Sequence, residues 1–147
     1  MRRLAAGALA IASLSLGLVA GSSATIKPNR GMSGVELGMT ARQVQARLGR
    51  PVGKAGWKWY YARVTVTFRN RRVVELRTTR SSERFANGLG VDSSEAEVRA
   101  TFPRAECAPW SVYRRCRIGT GAPKTRVTDF IIGHRSRVIY VVITQLP

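Results

Sequence analysis

Two periods alternate along this chain, and the switches between them divide it. Val44 and Leu48 recur four positions apart while Gln45 and Arg47 point away from them, the spacing of a helix that buries one stripe. Thr40 ahead of them can accept from an amide of the first turn, and Gln43 completes a capping box. Gly49 and Pro51 close the segment. A helix of about nine residues is too short to persist alone in water, so it must lie on a partner surface. After a turn around residues 53–56, the run Trp57-Lys58-Trp59-Tyr60-Tyr61 opens strand material. From Arg63 to Phe68 the period is two, with Val64, Val66 and Phe68 on one face and Arg63, Thr65 and Thr67 on the other. Arg69-Asn70-Arg71 predicts a tight reversal with Asn70 at positive φ. Residues 73–78 then return, with Val74 and Leu76 expected to face the helix.

The pattern recurs 54 residues later. Ser94 takes the place of Thr40 as a cap, Glu97 that of Gln43, and Val98 and Phe102 those of Val44 and Leu48, with Pro103 as the stop. Strand material follows at 105–108, 112–118, 127–132 and 138–144, with a hairpin turn at Gly133-His134-Arg135-Ser136. The expected fold is therefore α+β: two helix-plus-antiparallel-meander pseudo-repeats, 35–79 and 89–147, with a hinge at 80–88 and the helices packed on one face of the sheet. The meanders would form two sheets side by side or share one. Val138 to Ile143 is apolar on both sides, which predicts a central strand of a shared sheet or a dimer contact.

The ends of the chain add a compartment. Arg2 and Arg3 precede an uncharged apolar run from Leu4 to Ala20, and Ser22-Ser23-Ala24 supplies small residues, so residues 1–24 read as an export signal cleaved after Ala24. No Cys follows the apolar run to accept a lipid. Residues 25–34, with Pro28, Asn29, Gly31 and Gly34, show no periodicity and read as a flexible leader. Cys107 and Cys116 are the two cysteines; in an exported chain, nine positions apart around Pro109 and Trp110, they predict a disulfide stapling neighbouring strands.

Charge shapes the functional reading. The net charge is +17, and without Arg2 and Arg3 it stays near +15. Such a surface seeks polyanions: anionic lipid in a peripheral membrane contact, an acidic wall polymer, or nucleic acid, which export makes the least available. Of the 25 basic residues 21 are Arg, a skew that GC-rich codon usage also produces. Arg69, Arg71 and Arg72 gather at the first hairpin tip, and Arg114, Arg115 and Arg117 beside the cysteines. Trp57, Trp59 and Lys58, with Trp110 in the loop between the cysteines, are the candidate recognition groups; edge charge that keeps sheets apart is the competing reading of the arginines. Catalytic chemistry finds little footing. The one His, at 134, sits in a turn beside Arg135; the eight carboxylates are scattered, Glu95 and Glu97 being explained by a helix N-terminus; and Gly88-Leu89-Gly90 lacks the context of a phosphate loop. No cofactor or metal is expected.

Gly38-Met39-Thr40, then Val44 and Leu48-Gly49-Arg50-Pro51, an aromatic strand at Trp57 to Tyr60, and Val66-Thr67-Phe68 before a tight turn together resemble the SmpA/OmlA (BamE-like) family. The duplicated form is similar to the fold of the β-lactamase inhibitory protein. The resemblance implies helical segments packed on short antiparallel sheets. The function expected is an exported, non-enzymatic, envelope-associated module binding a protein or an anionic component; the alternative is a secreted inhibitor of a hydrolase such as a β-lactamase or protease.

Overall fold

The computed structural model describes residues 24–147. The expected export signal lies outside them, save for Ala24 itself. Three two-residue strands come first, β1 (Ile26–Lys27), β2 (Gly31–Met32) and β3 (Val35–Glu36), and make a small sheet of their own. Helix α1 (Ala41–Leu48) leads into β4 (Gly53–Ala55), β5 (Lys58–Tyr60), β6 (Thr65–Arg69) and β7 (Arg72–Thr78); helix α2 (Glu95–Thr101) leads into β8 (Glu106–Trp110), β9 (Tyr113–Ile118), β10 (Arg126–Ile132) and β11 (Val138–Gln145). All eight later strands form one antiparallel sheet in the order β4-β5-β6-β7-β11-β10-β9-β8.

That order corrects the expected fold class. The molecule is mostly β, a continuous eight-stranded sheet carrying two helices of eight and seven residues, and it is not an α+β pair of helix-plus-meander repeats. The physical reason lies in β7 and β11. Leu76 pairs with Ile143 and Val141 with Thr78, all four at 0–1 % exposure, so each strand satisfies its backbone and buries its side chains against the other. A separate meander would have left both as apolar edges, open to aggregation.

The helix starts follow the sequence closely. Thr40 Oγ1 accepts from Gln43 N, and the Gln43 side chain accepts from Thr40 N at 2.9 Å. Ser94 and Glu97 repeat the arrangement, the Glu97 carboxylate taking Ser94 N–H at 2.6 Å. Both entry turns are also tied to the sheet. Gly38 N donates to Val73 O and Val73 N to Met39 O; Asp92 N donates to Val138 O and Val138 N to Ser93 O. Each helix buries one valine completely, Val44 and Val98, in the same core.

Three local expectations change. Residues 53–55, expected in a turn, form the edge strand β4. In β7 the inward residues are Val73 and Leu76, not Val74 and Leu76, because a bulge between Thr67 and Phe68 places an extra residue opposite β6. Residues 25–34 pack rather than flex: Ile26 and Met32 are 1 % exposed, and Asn29, at positive φ, takes a hydrogen bond from Thr128 Oγ1 at 2.8 Å while donating its amide back at 2.7 Å.

The connection between β7 and α2 is likewise interior. Phe85 stacks against Phe130 and Phe102, with centroids 5.2 and 6.0 Å away, sealing the core over β10. Glu83 has no exposed surface. Its Oε2 accepts from Ser33 Oγ at 2.7 Å, and its Oε1 lies 2.6 Å from Arg63 Nε in an ion pair that lacks hydrogen-bond alignment. Residues expected as a hinge thus close the molecule around a buried carboxylate.

Candidate functional site

The β4–β5 reversal at Gly56-Trp57 and the β6–β7 reversal at Asn70-Arg71 lie side by side, since Phe68 N donates to Trp57 O at 2.9 Å. Asn70 and Arg71 both have positive φ, 49° and 62°, the backbone of a two-residue turn that matches strand twist. Between the reversals runs an open trough of about 810 Å³, bordered by Ala55, Trp57, Lys58, Arg69, Arg71 and Val74 among others, with no carboxylate in its lining. Trp57 is 75 % exposed. The expected strand start at Trp57 moves by one residue: Gly56, at φ 56°, turns the chain immediately before Trp57, so the strand begins only at Lys58.

Trp59 serves the interior instead. Its ring lies 4.7 Å from that of Phe68, and Lys54 Nζ sits 4.0 Å above it. The three arginines of the tip also separate. Arg72 donates to Gly38 O at 3.2 Å and braces the entry to α1. Arg69 donates to Gln145 O at 3.3 Å, which fixes it beside the end of β11. Arg71, at the apex, is exposed. The structure therefore brings together Trp57, Lys58, Arg69 and Arg71, and removes Trp59 and Arg72 to structural work.

The second candidate group is at the diagonally opposite corner, because β8 forms the other edge of the sheet and its turn to β9 lies at the other end. Cys107 and Cys116 face each other across these strands and form a disulfide, Cα to Cα 4.0 Å. Trp110 and Val112 project from the turn at 41 % and 69 % exposure, and Arg115 stands 5.9 Å from the Trp110 ring. Arg114 is committed elsewhere: with Arg99 it grips Glu95 at 2.8–3.1 Å. The Arg114 hydrogen bonds, more than those of Arg99, hold the Glu95 carboxyl below its usual range, and the pairing raises Arg114 in turn. Arg117 is bidentate to Asp129 at 2.7 Å, a geometry that fits the two planes.

His134 is exposed in the β10–β11 turn, its ring 6.1 Å from Tyr113. Among the described residues, Glu95 and the two cysteines form a group with metal-ligand spacing, and both sulfurs are committed to each other. Val74 and Ala55, which line the trough, were missed as site residues because small aliphatic side chains in strands carry no chemical signature. Only the bulge, invisible to periodicity, turns Val74 outward.

No family model matches the sequence, and no curated protein matches it. Solved structures do match its fold. An extracellular protein containing an SCP domain from Bacillus anthracis superposes with a TM-score of 0.55 at 10 % identity, over 74 % of this chain and 44 % of that one. A DUF4309 family protein from Bacillus subtilis gives 0.55 at 14 % identity, over 85 % of this chain and 90 % of that one. A cysteine-rich secretory protein from Staphylococcus aureus gives 0.47 at 10 % identity, and again the chain spans less than half, 44 %, of that protein. Identities this low speak to fold alone. The resemblance to SmpA/OmlA (BamE-like) proteins and to the β-lactamase inhibitory protein is thereby corrected: the structural neighbours are SCP-containing and DUF4309 proteins, and the residues that suggested the kinship, the Gly38-Met39-Thr40 entry and its cap, are those that any short helix laid on a sheet requires.

Proposed function

We propose that this chain is an exported, non-enzymatic binding module that engages an anionic component of the cell envelope through the Trp57, Lys58, Arg69 and Arg71 corner. The observation that carries the reading is the trough itself: an exposed indole and three cations converge on a concave surface that holds no acid. Elsewhere half of the eight acids are engaged by arginine. Glu36, Glu83, Glu95 and Asp129 are each paired with arginine, so the excess of positive charge falls on surfaces such as this one. The Cys107–Cys116 disulfide and the apolar start of the chain support an extracytoplasmic location. Among the described residues no helix is long and apolar enough to cross a membrane. Cosedimentation with anionic wall material or vesicles at rising salt tests the reading; binding that weakens steeply with salt is expected, and absence of binding at low salt removes it.

A second reading, inhibition of a secreted hydrolase, draws on the stapled β8–β9 hairpin, which presents Trp110 and Val112 on a braced loop. Capture of a hydrolase from culture supernatant, followed by loss of its activity, would support it. Unchanged activity would end it.

A further inference from the structure

The trough offers more than charge. A hydrated polyanion satisfies Lys58, Arg69 and Arg71 but leaves the Trp57 indole, 75 % exposed, in water together with the Ala55 and Val74 surface beside it. A bilayer interface meets both demands at one plane, since indole rings settle at headgroup depth and basic side chains reach the phosphates there. The trough is open and its rim faces outward. Trp57 and Arg71 occupy the apices of two adjoining reversals, so the indole and the guanidinium form the leading rim of that trough. Glu75, on this sheet face, accepts from Thr67 Oγ1 at 3.4 Å and lies outside the lining, and Asp129, farther along the same face, is held by Arg117.

Resting on the binding-module reading, we propose that this corner docks on an anionic phospholipid bilayer, with the Trp57 ring seated among the headgroups and Lys58, Arg69 and Arg71 against lipid phosphates. Each basic side chain held near an anionic surface strengthens partition by about fivefold, so neutralising Arg69 and Arg71 together weakens it on the order of 25-fold.

The test places a reporter at the corner. Trp57, Trp59 and Trp110 are the three tryptophans, so Trp59→Phe with Trp110→Phe leaves Trp57 as the sole indole, and a phenyl ring at 59 keeps an aromatic partner for Phe68. Vesicles of phosphatidylglycerol and phosphatidylcholine should move Trp57 emission to shorter wavelength, whereas phosphatidylcholine alone should not. This readout is local and independent of the apolar run at 4–20. Vesicle sedimentation of the otherwise native chain supplies a second measurement: Arg69→Gln with Arg71→Gln should lose binding, and Arg42→Gln with Arg47→Gln, on the exposed side of α1, should retain it. An unmoved Trp57, an equal shift with neutral vesicles, an equal shift with soluble polyglutamate, or equal damage from the α1 pair overturns the proposal. Binding to wall polymer with an unmoved Trp57 would sink the lipid assignment and leave the module reading standing; binding to no anionic material would sink both.

Discussion

Ser33 donates its hydroxyl to the carboxylate of Glu83 at 2.7 Å, fifty residues along the chain, and the acceptor is wholly buried. This contact, with Arg63 on the other carboxylate oxygen, joins the first small sheet, the β7–α2 connection and the start of β6. Removing the carboxylate leaves a cavity at a fully buried position and a partly buried hydroxyl without its acceptor, while Arg63, which is half exposed, can turn to water. Glu83→Ala should therefore cost about 2–3 kcal/mol and Ser33→Ala about 1 kcal/mol. Urea unfolding of both single variants and the double variant should show the two losses to be less than additive.

The caps make a second prediction. Ser94→Ala removes the acceptor for Glu97 N at 3.1 Å, and the loss should be about 1 kcal/mol. Ser94→Gly should be milder by a few tenths, measured in the same denaturant series.

Glu95 sets a pH dependence. Its carboxyl is depressed in the folded state, first by Arg114, so the stability it contributes is complete above the unfolded carboxyl range, near pH 4.3, and is lost as pH falls through the lower folded value. Glu95→Gln should flatten that part of the acid-unfolding profile and leave the profile above pH 6 parallel to that of the native chain. A profile still as steep in the variant would show that other carboxylates set the acid limit.

The disulfide closes a loop of about ten residues, for which chain entropy gives on the order of 2.7 kcal/mol. Cys107→Ser with Cys116→Ser should lower stability by up to that amount. Hydrogen exchange should show the loss first as opening of β8 and β9 at the sheet edge, with β7 and β11 keeping their protection.

Phe130 is fully buried and in ring contact with both Phe85 and Phe102. Phe130→Leu should cost about 1–2 kcal/mol and Phe130→Ala about 3–5 kcal/mol, read from thermal unfolding.

What the sequence disclosed was local chemistry. The capping boxes at Thr40 and Ser94, positive φ at Asn70, the Cys107–Cys116 pairing and the central place of residues 138–143 in a shared sheet each depend on neighbours a few positions away or on alternation within one strand, although Ile139 is 37 % exposed and the strand is not covered on both sides. What it concealed was long-range. Residues 25–34 looked loose because Ile26 and Met32 are isolated apolar positions that acquire meaning only under a distant segment. The bulge at Thr67 reverses the facing of Val74 without any mark in composition. The β7–β11 seam depends on residues 63 to 69 positions apart along the chain, and the helix-entry pattern, being common to many folds, invited a kinship that the structural neighbours do not support. At the candidate site, Arg71 was legible as a turn residue and Trp57 as a candidate recognition group, whereas the place of Trp57 in a turn instead of a strand, the diversion of Trp59 to Phe68 and that of Arg72 to Gly38 were not.

The seam has a consequence for how the molecule comes into being. Residues 138–145 are synthesised after every strand they must join, yet they belong at the centre of the sheet, between β7 and β10. Until they arrive, β7 and β10 each have a vacant side, and the nascent polypeptide has no finished half to settle into. A chain built this way stays pliable and threadable while it is being made, and locks only when its closing stretch slides home.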